Sequence, residues 1–517
     1  MSSTSGVVAD VDVVVVGFGA AGVAAAISAA ESGASVLVLE KLPQEAHTPS
    51  AVFAGSMIMV ATDIDAATRY LEECARDAVG PAECRAWAEG AAELEQWLKD
   101  RIPELEVHAL AGHHGGALYP EFDGASAVIT RDFRGPGRSS GSGEWLFRRL
   151  ERVMEKTGRV EVRWGVRASR LLRTNRRIDG VSWEDDAGQQ AQVRSRRAVV
   201  LATGGFENDQ ELCRTYLRAW PMYFAGNPAN TGDGLRMAQA AGAGLWHMQV
   251  AIGRQAANFD LDGLACNYQM SIVPGAFVVV DSSGKRFCDE SAYIPIHTTW
   301  AEMQEWNTRE RGFSKIPAYW VFDARRFASR LAAGPQPQGT SRPRWSEDNV
   351  AELERGWVVS APTIRELAEE LGMDPDVLES EVRAFNAAVD SGSDAWGRDA
   401  STSEPLRHGP FYAVRMFPGG VNTSGGPRHD AGGRVLDAFG EPIEGLYAAG
   451  SVSQLIGCIY PSPGAGWSEA LVTGTIAGAE AARNIDSKSP QRDLNHSDDI
   501  DNYRKGADAH YSGISAD

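Results

Sequence analysis

The chain has 517 residues, of which 43% are apolar and 23% charged, and its formal charge is −19. That length exceeds one ordinary core, so a soluble globular protein of two domains, or one large elaborated domain, is expected. The acidic balance argues against nucleic-acid or anionic-membrane partners, because both polyanions would be repelled.

Six cysteines, at 74, 84, 213, 266, 288 and 458, are scattered without a C-x-x-C pair. This speaks against iron–sulfur, zinc-ribbon and c-type haem chemistry and suits a reducing cytoplasm. No metal is expected. The opening MSSTSGVVADVDVVVVG lacks a basic signal-peptide region. Its apolar stretch carries Asp10 and Asp12 and is broken by glycines, so no membrane span is expected there.

The first predicted element is a buried strand, Val13–Val16, running into Gly17-x-Gly19-x-x-Gly22. Small residues then open a helix, and a second strand, Val36–Leu39, ends at Glu40. Gly17 permits the tight turn, Gly19 lets a pyrophosphate approach the backbone, and Gly22 lets helix and strand touch. The helix N-terminus favours the anion, and Glu40 can accept hydrogen bonds from a ribose diol. Strand, glycines, helix, strand and terminal acid in register read as a dinucleotide site; the bland alternative is an Ala/Gly-rich packing helix.

Farther along, AVVLATGGF (198–206) reads as a buried strand ending in Ala202-Thr203-Gly204-Gly205, and N-T-G-D-G follows at Asn230–Gly234. GAFVVVDSSGKRF reads as two strands with a turn. PTIRELAEELGMDPDVLESEVRAFNAAV reads as two amphipathic helices joined by a Gly-x-Asp-Pro break. The hairpin-like TSGGPRHDAGGRVLDAFGEP precedes another strand, IEGLYAAG (443–450). GCIYPSPGAGWSEAL (457–471) then forms a rigid corner leading into a helix.

Together these segments resemble the two-dinucleotide-fold flavoproteins, more narrowly the fumarate reductase/succinate dehydrogenase flavoprotein superfamily, over roughly residues 10–483. The resemblance implies an α/β fold with a Rossmann-like FAD domain and an inserted α+β catalytic cap. The FAD domain is discontinuous, 7–225 and 405–485; the cap is 226–404, and the polar tail 486–517 is expected to be disordered. FAD would be held non-covalently by Gly17, Gly19, Ala20, Ala21, Gly22, Glu40, Lys41, Gly55, Ser56, Ala202, Thr203, Gly204, Asp233, Gly450, Gly466, Trp467, Ser468 and Leu471, with N-T-G-D-G beside the isoalloxazine. One stretch departs from the pattern: in EAHTPSAVFAGSM, Thr48-Pro49 replaces a glycine pair, while Gly55-Ser56 keeps most of a second. His47 raises a covalent histidyl–flavin bond as the alternative, although its spacing to the following glycine is off by one residue.

Fumarate reductases use G-K-R-F-x-N-E-x-x-x-R and a second arginine in the last glycine-rich turn. Here Gly284-Lys285-Arg286-Phe287 leads to Ile294 in the arginine slot, and 457–471 has no basic residue. A dicarboxylate would be stranded without counter-charges, at a cost of several kcal/mol. Hydroxyls stand there instead, Tyr293 and Tyr460-Pro461-Ser462-Pro463-Gly464. In this the chain is similar to the 3-ketosteroid dehydrogenases, with Y-P-x-P-G like the Δ1 members and Tyr-x-Ser with Tyr293 like the Δ4-(5α) members. The position of the new double bond stays open.

Desaturating a ketone beside its carbonyl requires a polarised oxygen, loss of the α-proton and transfer of the β-hydride, here to flavin N5. The Tyr460 hydroxyl and the Gly464 N–H could hold the developing enolate, on a corner stiffened by Pro461 and Pro463. A tyrosine pKa of about 10 makes tyrosinate cost about 4 kcal/mol at neutrality, and donors worth roughly 1.5–3 kcal/mol each could offset most of it. Tyr293 with Ser462 as relay is the first choice of base, and Tyr460 acting through Ser462 the second. Plainer readings stand beside these: Tyr293 and Tyr460 as packing residues, Ser462 as a helix cap, Tyr119 on a loop surface, His247 and Arg254 as cap structure. Trp220, Trp300 and Trp320 line a cavity or fill the core, and a disulfide-exchange role for Cys458 is disfavoured.

The leading reading is a cytoplasmic FAD enzyme desaturating a cyclic ketone, a 3-ketosteroid ahead of a smaller cyclohexanone or oxo-cyclohexane acid. Its partners are the ketone and an external electron acceptor, since no second G-x-G-x-x-G marks a nicotinamide site; the oligomeric state stays open. The alternatives are a flavin-dependent ene-reductase of a conjugated enone or acid, and a flavin-binding ligand sensor.

Overall fold

The structure, a computed structural model, describes residues 7–484 except 139–140, 142, 263, 272–274, 291–298, 334–342, 400 and 402. The contacts divide the chain after Arg483, and the architecture below is that of the unit ending there. The first apolar run forms the strand Val7–Val16, whose last four valines are buried. Such an unbroken apolar run belongs to a strand covered on both faces. It pairs in parallel with Val36–Leu39 on one side and Gln190–Leu201 on the other, and Gln190–Leu201 pairs in parallel with Pro442–Ala448. The sheet runs in the order Arg434–Leu436, Pro442–Ala448, Gln190–Leu201, Val7–Val16, Val36–Leu39, Val160–Arg163, with the hairpin Val166–Thr174 and Arg177–Asp185 attached to Gln190–Leu201.

Register decides what this sheet presents. Val16 lies opposite both Leu39 and Leu201, and Leu201 opposite Ala448. Four strands therefore end in one row, and the residues after them, Gly17, Glu40, Ala202 and Ala449, share one edge. Gly17 sits at φ +100°, and a Cβ there would lie 2.4 Å from the Ala202 carbonyl oxygen, so only glycine lets the two strand ends touch. The helix Ala20–Glu31 packs on Ala465–Arg483 at backbone contact. A Cβ on Gly474 would stand 2.5 Å from Ala21 O and one on Gly478 2.2 Å from Ala25 O.

A second sheet runs Leu264–Gln269, Ala251–Leu261, Phe411–Thr423, Ala318–Asp323, Phe277–Val280. Tyr223–Phe224 and Val359–Ala361 also pair with Phe411–Thr423. The thirteen-residue strand Phe411–Thr423 is thus the spine of this sheet. The expected helix pair is Ile364–Leu371 and Pro375–Ser391. Thr363 and Glu366 form a capping box, and Pro375 occupies the first helical turn behind the Asp374 cap, which is why the break falls there. Buried Arg286 donates to Glu290 and Asp394, tying the Gly284–Phe287 turn to the end of Pro375–Ser391. A small three-stranded sheet, Met57–Ala61, Val128–Arg134 and Glu106–Ala109, stands behind the last glycine-rich corner.

None of the six cysteines is in a disulfide; five are buried and Cys458 is exposed. Among the described residues no helix is long and apolar enough to cross a membrane.

Candidate active site

One elongated cavity runs along the edge where the parallel strands end, reaching from Glu40 and Lys41 to Tyr460 and Gly464. At the first end the helix Ala20–Glu31 begins at Gly19 with no side chain capping it, so its N–H groups face the cavity. A Cβ added to Gly19 would meet nothing within 4 Å; the space beside this backbone is open to a ligand. Glu40 is buried, and its carboxylate accepts from the N–H of Phe18 and of Leu42, each at 2.9 Å. Burial raises its pKa, and those two N–H groups and Lys41 pull against it. Lys41 donates to Thr231 (3.0 Å) and Asp233 (2.9 Å), and Arg167 donates to the other Asp233 oxygen. Burial opposes ionisation of Asp233, but the Arg167 and Lys41 bonds win and hold its pKa below the ordinary value. Open space before a bare helix N-terminus, a buried acid and a local cation pair are what the diphosphate and ribose of a dinucleotide require.

The other end is the corner Ile459–Gly464. Ile459 donates its N–H to Cys74 O (3.1 Å), and Pro461 O accepts from Leu118 N–H (3.0 Å) and the Tyr70 hydroxyl (2.6 Å). Pro463 O accepts from the Thr130 hydroxyl at 2.9 Å. Gly464 has φ +83°, and a Cβ there would stand 2.5 Å from Met57 O and 2.6 Å from Ile58 N. Two prolines stiffen this corner, and three remote segments hold it. Tyr460, Pro463 and Gly464 line the cavity. The Tyr460 oxygen accepts from Gly466 N–H at 3.1 Å, which strengthens the phenol as a donor.

Of the expected cofactor residues, Gly17, Gly19, Ala20, Ala21, Glu40, Lys41, Gly55, Ala202, Thr203, Gly204, Asp233, Gly466 and Trp467 line the cavity. Five stand behind its wall. A Cβ on Gly22 would lie 2.0 Å from Gly17 O, the helix–strand contact assigned to it. Ser56 donates to buried Asp132, Gly450 N–H donates to Thr473, Ser468 donates to Met59 O, and Leu471 is fully buried in the core. Of N-T-G-D-G, expected beside the isoalloxazine, Asp233 is drawn to Lys41, next to Glu40, because the Lys41 and Arg167 cations wait there.

Ser462 corrects the relay. Its hydroxyl is buried off the cavity, donates to Gly116 O (3.0 Å) and bonds Thr130 Oγ1 (2.8 Å), so it fastens the corner to Val128–Arg134. Nor is it a helix cap. Tyr293 and Ile294 lie outside the described residues, as does the tail from 485 onward. Tyr119 stacks on Phe122 at 5.2 Å and does not line the cavity. His47 does, but its Nε2 bonds Phe18 O at 2.9 Å and the ring stacks on Phe18, beside the glycine turn. Burial, then the Arg148 charge, lowers its pKa to about 4. His247 bonds Gln454 O (2.9 Å), a structural contact. Trp320 is core, and Trp220 is partly exposed.

Three lining residues carried no sequence signal, because strands of the second sheet and the hairpin strand Val166–Thr174 bring them in: Arg167, Gln269 and Asn422. Arg254, weighed above as cap structure, also lines the cavity, on the second-sheet side beside Gln269.

The sequence profile described as FAD binding domain matches residues 12–466. The chain is similar to a 3-oxosteroid 1-dehydrogenase of Mycobacterium tuberculosis, 29% identical over 92% of this chain and 99% of that one. It is also similar to a 4-oxocyclohexanecarboxylate 2-dehydrogenase of Sinomonas cyclohexanicum, 26% identical over 91% of this chain and 92% of that one. Among solved structures, a 3-ketosteroid delta1-dehydrogenase from Sterolibacterium denitrificans superposes with a TM-score of 0.78 at 23% identity, covering 92% of this chain and 99% of that one. At that identity the likeness speaks for the fold.

Proposed function

The chain belongs to the FAD binding domain family and is an FAD-dependent oxidoreductase acting on CH–CH groups, and from that premise we propose that it desaturates a cyclic ketone, with a 3-ketosteroid as the favoured substrate. The observation that carries this reading is the corner Tyr460–Gly464: a neutral phenol and a backbone amide on the cavity wall, locked by hydrogen bonds from residues 70–130. When bound, FAD supplies the two-electron acceptor. The chain supplies the rest. Tyr460 Oη–H and Gly464 N–H polarise the ketone oxygen and stabilise the enolate as the α-proton leaves, and the pinned turn spares them reorganisation during the reaction. Tyr293 remains the proposed base, acting without Ser462. The 29% identical relative named 3-oxosteroid 1-dehydrogenase supports the substrate class.

We further propose that the flavin is bound without a covalent link, since His47 is engaged with Phe18 O at the ribose end. The sheet of Val7–Val16 serves as the cofactor half and the sheet of Phe411–Thr423 as the substrate-bearing half. Six cysteines without a disulfide make the cytoplasm the proposed compartment, and an external acceptor reoxidises the enzyme.

Anaerobic mixing of the oxidised holoenzyme with saturated 3-ketosteroids should bleach the flavin, and Tyr460→Phe should slow the bleaching roughly 10²–10³-fold at unchanged flavin content. Normal rates in that variant, or rapid flavin reoxidation by enones with no bleaching by ketones, would reject the reading. One observation favours a second substrate: Arg254 on the wall suits a carboxylate, so a smaller oxo-cyclohexane acid, as acted on by the Sinomonas relative, belongs in the same panel.

A further inference from the structure

Behind the cavity wall lies a carboxyl group that neither the cofactor motifs nor the ketone chemistry uses. Glu207 follows the strand Gln190–Leu201 and is 1% exposed. Its Oε1 accepts from Asn230 Nδ2 at 2.6 Å. Its Oε2 accepts from the Thr423 hydroxyl at 3.2 Å and the Thr423 N–H at 3.4 Å. Thr423 Oγ1 accepts in turn from Phe206 N–H (2.9 Å), so its own proton is committed to Glu207. Glycines wall the group in: a Cβ on Gly205 would stand 2.3 Å from Oε2 and one on Gly226 3.0 Å from Oε1.

The partners Asn230 and Thr423, and Ser50 beyond Asn230, are neutral. The titratable groups facing Glu207 from the packed helix Gln210–Tyr216 are Cys213 and its capping Asp209, and among the described residues no salt bridge reaches Glu207. Burial without a cation is expensive for a carboxylate. Asn230 itself lines the cavity, with its amide against Gly204, another lining residue: a Cβ there would stand 2.6 Å from Oδ1 and 2.9 Å from Nδ2.

We propose that Glu207 is a positioning residue for the cofactor site: by accepting from the Asn230 amide it decides which edge of that amide faces the cavity, and gaining a proton reverses that edge. With Glu207 ionised, Asn230 must turn its NH₂ inward and leave its oxygen, an acceptor, on the cavity side. With Oε1 protonated, two donors would meet, and the amide rotates so that its oxygen accepts from the carboxyl and its NH₂ faces the cavity. The wall at Asn230 then changes from hydrogen-bond acceptor to donor. Burial, opposed by Asn230 and Thr423, raises the Glu207 pKa to about 7, which places the reversal near neutrality. The inference rests on FAD occupancy alone and is independent of the ketone reading.

The test follows FAD release on dilution of the holoenzyme, read as flavin fluorescence across pH. In the wild type the dissociation constant should rise about three- to tenfold as pH falls through about 7, the worth of one hydrogen bond. Glu207→Gln keeps an oxygen for Asn230 and carries no titrating proton, so its curve should be flat over that range. Thr423→Val removes one donor to the carboxylate and should move the wild-type midpoint upward. Infrared difference spectra of the holoenzyme should show a protonated-carboxyl band that vanishes in Glu207→Gln. It should persist in Glu469→Gln, another buried acid, whose pKa burial raises to about 8. Parallel curves for wild type and Glu207→Gln, or an unmoved midpoint in Thr423→Val, overturn the proposal.

Discussion

At the Glu40 end of the cavity, most groups facing the ligand come from one stretch, residues 16–41, and charge fixes the rest: Lys41 and Arg167 on Asp233. At the Tyr460 end the groups are neutral, and what fixes them lies more than 300 residues away in sequence, at Tyr70, Gly116 and Thr130. The first end can bind an anion tightly because helix N–H groups and a short turn are local and recur wherever that turn is built. The second has no such unit; its precision is borrowed from the three-stranded sheet behind it. Binding and chemistry should therefore fail separately.

The largest break should come from Gly464→Ala. A Cβ at φ +83° and 2.5 Å from Met57 O must move the corner, so turnover should fall by roughly a thousandfold. Flavin content, read by absorbance, should stay near normal. Glu40→Gln should do the reverse. Its carboxylate closes the glycine turn through Phe18 and Leu42, and losing that charge should weaken FAD binding by about ten- to a hundredfold while the remaining holoenzyme turns over normally. If the first variant loses flavin and the second loses chemistry, the two ends are one coupled site and the contrast collapses. The smallest effect is expected for Ser462→Ala. Removing a hydroxyl that serves only the corner's anchorage should cost about 1–2 kcal/mol of stability, seen as a lower Tm, with turnover changed only a few-fold. A collapse of proton abstraction there, measured by exchange of substrate α-protons with solvent, would restore the relay that the buried hydroxyl argues against.

The glycine turn and its two strands were legible because each needs only its neighbours: Val13–Val16 and Val36–Leu39 are apolar on both faces, and Gly17, Gly19 and Gly22 fall between the first strand and the opening of the helix. The helix break at Gly372–Pro375 was legible for the same reason, with Thr363, Glu366 and Asp374 capping locally. Ser462 was misjudged because a serine between prolines looks the same in sequence whether it faces a ligand or a neighbouring strand. Ser56, Ser468 and Leu471 share that ambiguity, one residue's rotation separating wall from core.

Taken alone, the order of residues determined a dinucleotide edge, which rests on interactions within a few residues, and a corner that carries hydroxyls and no basic residue, which composition shows; the flavoprotein architecture came from a resemblance spread over residues 10–483. Tertiary structure decided the rest: which hydroxyl meets the cavity, that Asp233 answers to Lys41 and Arg167, that Arg254 reaches the wall, and that Glu207 stands behind Asn230. Those depend on strand register and on which faces pack, and the energies that choose between them are sums over partners hundreds of residues apart.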